Sequence, residues 1–290
     1  MVSDSSVRCV ADVHAVLGEG PVWVARETAL YWLDIKGLKI FRRDDKGAIS
    51  HWPTPLRVGS IAPRKSGGFI GGTEHGVAAI DLDQGSFDIV ANPEEKLPGN
   101  RFNDGKVDRR GRLWAGTMDD AEKEATGNLY CFDADLSWTE VDQGYKVTNG
   151  PSFSPSGDRM YHNDSGRQVT YVFDLEDGRA INRRTFLQFR EGDGSPDGMT
   201  VDSEGCLWMC FWDGGCVRRF SPAGEWLETI ELPVSRPTSC VFGGRDLDEL
   251  YVCSASIGLD QQALDMQPNA GGLFMLRPGV QGIADVPFAG

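Results

Sequence analysis

LYWLDI, residues Leu30–Ile35, is the first of six variants of one short motif. It returns as GFIGGT from Gly68, LWAGTM from Leu113, MYHND from Met160, LWMCFW from Leu207 and LYVCSA from Leu250. The aromatic residue in each copy (Tyr31, Phe69, Trp114, Tyr161, Trp208, Tyr251) follows the last by 38 to 47 residues. Short, nearly continuous apolar runs read as strands covered on both faces. A repeat of roughly 40–50 residues built from strands marks a β-propeller, with one four-stranded blade per repeat. The expected fold is therefore all-β: a six-bladed propeller of four-stranded blades, forming a single domain over residues 1–290.

Working outward from the motif, turn chemistry precedes most copies: Ser66-Gly67-Gly68, Arg110-Gly111, Ser156-Gly157 and Glu204-Gly205 are hairpin signals. Third strands follow at KIFRR, GVAAIDL, NLYCFDA, VTYVFDL, GCVRRFS and GLFMLRP. After Pro278 the last repeat has too little chain for a fourth strand, while Val7–Val13 (VRCVADV) precedes the first repeat with no blade of its own. That N-terminal strand is expected to complete the last blade and close the ring.

Composition limits the function classes. The chain has 290 residues, 40% hydrophobic and 25% charged, with 36 glycines to serve many tight turns. No linker or low-complexity tract divides it. A net charge of −14 argues against nucleic acid and against anionic membrane surfaces. None of the seven cysteines sits in a CxxC; Cys206, Cys210 and Cys216 lie close in sequence but have no histidine nearby, so all are read as reduced core thiols. The N-terminus lacks the apolar run of a signal peptide, and no stretch approaches 18 apolar residues. The expectation is a cytoplasmic, soluble protein, monomeric because a closed ring leaves no free strand edge.

Counting back 11 or 12 residues from the motif aromatics reaches Glu19, Asn103, Asn149 and Asp197. The corresponding segment offers Thr238 and Ser239 in the sixth repeat, and only Val58 and Gly59 in the second. In a propeller, matched positions converge at one mouth of the axial channel. Carboxylate and amide oxygens without thiolate or imidazole suit a divalent Ca²⁺, Mg²⁺ or Mn²⁺; Zn²⁺ or Fe²⁺ is less typical without histidine. The blander alternative is that Asp104-Gly105, Asn149-Gly150 and Asp197-Gly198 are simple turns. His162 and Asp164, on the fourth motif copy, are read as structural before catalytic.

The stretches LGEGPVW (Leu17–Trp23), NRFNDGKVD (Asn100–Asp108), WAGTM (Trp114–Met118), TNGPSFSP (Thr148–Pro155) and PDGMTVDSEGCLW (Pro196–Trp208) resemble, in order, the regucalcin/gluconolactonase family (senescence marker protein-like) of sugar lactonases. The resemblance runs from about Glu19 to Leu276. It implies a six-bladed propeller with one catalytic divalent metal, whose ligands match Glu19, Asn149 and Asp197. It also implies substrate contacts at Arg101 and Asn103. A further acidic contact falls in Asp119-Asp120-Ala121-Glu122, where Asp120 is favoured.

The resulting expectation is a metal-dependent hydrolase opening an aldonolactone to its aldonic acid in oxidative sugar catabolism, with a small sugar lactone as its partner molecule. Asp197 takes a proton from the attacking water, and the metal polarises the carbonyl. Two competing readings are an aryl-ester or organophosphate hydrolase on the same scaffold and a non-catalytic calcium-binding regulator.

Overall fold

Each copy of the motif forms the second strand of a four-stranded antiparallel sheet, and the six sheets are the blades of a six-bladed β-propeller. The structure, a computed structural model, describes residues 4–290. Blade 1 consists of Gly18–Val24, Ala29–Asp34, Lys39–Arg43 and Ile49–Pro53. Blades 2 to 5 repeat this meander, with first strands at Val58–Pro63, Asn100–Val107, Thr148–Phe153 and Ser195–Val201. Blade 6 takes Pro237–Gly243, Glu249–Ser254 and Leu273–Arg277, and its fourth strand is Asp4–Ala11 from the far end of the chain. The N-terminal strand thus completes the last blade, beginning and ending a few residues earlier than VRCVADV. The single α-helix among the described residues, Gln261–Met266, lies in blade 6 between its second and third strands, and no helix is long and apolar enough to cross a membrane.

Two compact units divide the blades. One runs to Pro53 and resumes over Phe189–Ala284, holding blades 5, 6 and 1; the other, Thr54–Gln188 with Asp285–Gly290, holds blades 2, 3 and 4. Within each unit the second strands supply the core between successive blades. In the first, Trp208, Val252 and Phe274 pack together, as do Trp32, Phe41 and Tyr251. In the second, Ile70, Phe102 and Phe132 form one cluster and Trp114, Tyr145 and Phe173 another. Motif residues such as Trp32, Trp114 and Trp208 are almost wholly buried, which accounts for their apolar character on both strand faces.

The motif also fixes what stands opposite it. Its fifth residue, counted in blade 2 from Phe69 because the pairing aligns Phe69 with the first residue of the other copies (Asp34, Thr73, Thr117, Asp164, Phe211 or Ser254), pairs with Gly18, Val58, Phe102, Thr148, Pro196 or Pro237 of the first strand. A β-bulge follows at once in blades 2, 3, 5 and 6 and after one further pair in blades 1 and 4, and a bulge re-aims the side chains beside it. The residue after each of those pairs is Glu19, Gly59, Asn103, Asn149, Asp197 and Thr238. The one-residue wobble in the sequence count therefore reflects hairpin length, and the Asn-Gly and Asp-Gly pairs are bulges within strands rather than hairpin turns. Blade 2 bears glycine here for a steric reason: a Cβ on Gly59 would lie 2.3 Å from the carbonyl oxygen of Asn103.

All seven cysteines are free; six are buried and Cys9, on the edge strand of blade 6, is partly exposed. Burial raises the thiols of Cys210 and Cys253 well above their ordinary pKa and that of Cys131 to about 12. The native protein should therefore give one slow equivalent with a thiol reagent at pH 8, from Cys9, and all seven only after unfolding. Rapid reaction of two or more native thiols would contradict this packing.

Candidate active site

The bulged first strands present two sets of polar side chains, one in each unit. In the unit of blades 5, 6 and 1, Glu19 and Asp197 are both buried, at 7% and 6% exposure. Glu19 Oε2 accepts the amide of Gly20 at 2.9 Å. Both carboxylates bear on one buried thiol, Cys210, which is raised first by burial, then by its contact with Cys240, then by the charges of Asp197 and Glu19. The Cys210 thiol is thus held neutral, which leaves oxygens as the donors beside it.

In the unit of blades 2, 3 and 4, hydrogen bonds link the candidates into a chain with one polarity. Arg101 Nη1 donates to Asn103 Oδ1 at 2.7 Å, Asn103 Nδ2 to Asn149 Oδ1 at 3.1 Å, and Asn149 Nδ2 to Ser165 Oγ at 2.9 Å. Bonds aligned in this way polarise one another and fix which atom of each amide is the oxygen. Asn103 Nδ2 also holds the carbonyl of Thr148 at 2.7 Å, tying blade 3 to the strand that carries Asn149. Asp104 makes a second tie: its buried carboxylate accepts the amides of Gly105 and Gly150, each at 2.7 Å, and burial raises it to about pKa 6.

Arg101 anchors the chain's other end. Its Nε donates to Asp120 Oδ1 at 2.8 Å, its Nη1 reaches Phe102 O and Asn103, and its Nη2 has no hydrogen-bond partner among the described residues. Burial, with a smaller contribution from the Arg57 charge, pulls the guanidinium pKa down, and the Asp120 charge opposes this. Within the acidic run, Asp120 is the residue that reaches Arg101. Asp119 instead caps the amides of Lys123 and Glu124, which lower its pKa.

Two neighbours escaped the sequence reading. Arg57 Nη1 donates to both oxygens of Asp120 at 2.7 and 2.8 Å, and its Nε donates to Glu74 Oε2 at 2.8 Å. The corresponding segment in blade 2 is Val58 and Gly59, and Arg57 stands one residue before it.

Other candidates have structural work. Asp164 accepts the amides of Lys146 and Val147, as Asp34 accepts those of Val16 and Leu17 at the same place in blade 1. His162 is fully buried, 4.8 Å from the Tyr145 ring, with neither ring nitrogen hydrogen-bonded among the described residues; burial lowers it to about pKa 3. Asp202, Glu204 and Cys206 cluster closely enough to suggest a metal. Asp202 Oδ2, however, already accepts Trp208 Nε1 and Arg219 Nη2, its Oδ1 accepts the amides of Glu204 and Cys206, and the same Arg219 nitrogen holds Glu204. Asp108 does the same for Trp114, Arg110 and Arg112 in blade 3, so this is a repeated turn lock.

Comparison with known proteins agrees in extent with this architecture. Residues 17–256 match the model of the SMP-30/Gluconolactonase/LRE-like region. The chain is 37% identical to a 6-deoxy-6-sulfogluconolactonase of Pseudomonas putida, over 99% of this chain and 100% of that one. It is also 37% identical to the regucalcin of Gallus gallus over the full length of both. Among solved structures, a calcium-binding regucalcin from Agrobacterium tumefaciens superposes with a TM-score of 0.93 at 25% identity, covering 98% of this chain and 97% of the other.

Proposed function

The chain belongs to the SMP-30/gluconolactonase/LRE-like family, and from that membership we propose that it is a metal-dependent sugar lactonase, acting as a monomer to open an aldonolactone to the free acid. The single observation that carries the reading is the chain from Arg101 through Asn103 to Asn149, with a buried guanidinium that keeps Nη2 open to a ligand. A forked cation of this kind suits the hydroxyl and ring oxygens of a sugar. The name of the Pseudomonas putida relative, a lactonase of a modified gluconolactone, supports the same substrate class.

We assign the metal-ligand roles to Glu19, Asn149 and Asp197. The donors fit a hard or borderline divalent cation: two buried carboxylates, an amide whose oxygen is fixed by its neighbours, and one nearby thiol, Cys210, held neutral. When bound, such a cation supplies a Lewis acid for the lactone carbonyl and the charge that develops on it. Arg101 and Asp120 hold the sugar, Asn103 fixes both Arg101 and Asn149, and Asp197 takes a proton from the attacking water. The acid product places the enzyme after a sugar oxidation that yields the lactone.

The test is to strip the protein of metal, assay acid release across pentono- and hexonolactones, and restore Ca²⁺, Mg²⁺, Mn²⁺, Zn²⁺ and Fe²⁺ one at a time. At least about a tenfold stimulation by one cation is expected on an aldonolactone. A preference for phosphotriesters or aryl esters, or tight cation binding with no hydrolysis, would replace this reading with one of its two competitors.

A further inference from the structure

Arginine and carboxylate favour a two-pronged pairing through parallel N–H···O bonds. Arg101 and Asp120 do not adopt it. Only Arg101 Nε meets Asp120, at Oδ1, and Nη2 has no hydrogen-bond partner among the described residues although the side chain is buried. The reason is visible on the other side of Asp120, where Arg57 Nη1 claims both carboxylate oxygens. Arg57 is itself fixed. Glu74 takes its Nε, Nη2 and backbone amide, each at 2.8 Å, and donates its own amide to the carbonyl of Arg57 at 3.1 Å.

Exposure grades across this row. The Arg101 side chain is 5% exposed, Arg57 23%, Glu74 21% and Asp120 34%, so the last three form the open end of the network. Asp120 directly follows strand Leu113–Asp119 with its amide held by Gly99 O at 3.0 Å, so loss of Arg57 would leave the side chain alone to rotate, carrying its carboxylate onto Nε and Nη2 together.

We propose that Arg57, braced by Glu74, is a positioning residue that holds Asp120 off Arg101 and so keeps Arg101 Nη2 open to the hydroxyl-bearing substrate. This deepens the lactonase reading and rests on it. The pair acts on substrate binding, since it bears on Asp120 and through it on Arg101.

The experiment compares wild type, Arg57→Ala, Arg57→Lys, Glu74→Gln and Arg101→Ala in lactone-opening kinetics, with a crystal structure of Arg57→Ala. Losing one charge-assisted contact should raise KM about tenfold in Arg57→Ala while kcat stays within about twofold. Arg57→Lys, which keeps a cation on Asp120, should recover most of that loss. Glu74→Gln should raise KM by a smaller factor, and it serves as the test if Arg57→Ala does not fold. In the crystal, Asp120 should lie within about 3 Å of both Nε and Nη2 of Arg101. Unchanged KM in Arg57→Ala, or Asp120 still on Nε alone, overturns the proposal. If Arg101→Ala leaves KM unchanged, the substrate role of Arg101 fails and this proposal falls with it. An impaired Arg101→Ala beside a normal Arg57→Ala overturns the positioning role alone.

Discussion

Asp197→Ala is expected to lower kcat/KM for lactone opening by about a thousandfold or more, the usual scale for removing a group that stabilises developing charge, while the fold persists. The residue sits in the first strand of blade 5 with its carboxylate buried, and it shares the neighbourhood of Cys210 with Glu19. Two buried anions near one another are costly without a cation between or beside them. In chelator, therefore, the variant should melt at or above the wild-type temperature. With saturating cation the order should reverse, because a ligand that binds only the folded state adds RT ln(1 + [L]/Kd) to stability, and the variant should lose most of that gain. Differential scanning fluorimetry with and without cation, beside acid-release kinetics, checks both arms. Asp197→Asn separates the two assigned roles: it keeps an oxygen ligand and so part of the cation-induced rise in Tm, yet it cannot accept a proton. Undiminished cation-stimulated turnover in Asp197→Ala would remove the residue from the mechanism.

That Asp197 was singled out at all follows from the repeat. Six copies of an aromatic strand motif specify six buried second strands, and pairing then places the first-strand residues at matched points. What the linear sequence could not supply was the exact register, because hairpins of different length separate Glu19 from Tyr31 and Asn103 from Trp114, and because Phe69, second in GFIGGT, aligns in the structure with the first residue of the other copies. Pairing partners at the fifth motif position resolve both. Arg57 and Glu74 were illegible for a different reason. They come from a turn and a strand end in blade 2, they match no motif, and they matter only through Asp120, which lies 63 residues beyond Arg57. Long side chains that meet across blades leave no periodic trace. The Asp202 cluster makes the opposite point: proximity of carboxylates and a thiol suggests a metal until Arg219 and Trp208 are seen to hold its oxygens.

His162→Met should stabilise the protein, and by more in acid than in base. The third motif position is Trp32 in blade 1, Ala115 in blade 3, Met209 in blade 5 and Val252 in blade 6, all buried. In blade 4 it is His162, fully buried against Tyr145 with both nitrogens lacking a hydrogen-bond partner among the described residues. An unsatisfied buried polar group costs about 1–3 kcal/mol, and methionine, unbranched and similar in reach, fills the space without that penalty. Burial, with a smaller contribution from the Arg183 charge, lowers the imidazole to about pKa 3 from an ordinary 6.5. Between those values the unfolded chain binds a proton that the folded chain refuses, so wild-type stability falls as pH drops from 6.5 towards 3. At pH 5 this amounts to about 2 kcal/mol, from 1.36 kcal/mol per unit over the 1.5 units below 6.5. Asp104 acts in the opposite sense. Its burial-raised value of about 6 gives the folded state a proton that the unfolded state has released, so its contribution is present below pH 3.8 and lost as pH rises through 6. Because Asp104 is common to both proteins, the difference between variant and wild type isolates the histidine. Urea midpoints at pH 8 and pH 5 should show a gain at both, larger at pH 5 by about 2 kcal/mol. A variant less stable than wild type at pH 8, or a gain that does not grow on acidification, would mean that His162 finds a hydrogen-bond partner in solution and that its burial carries no such penalty.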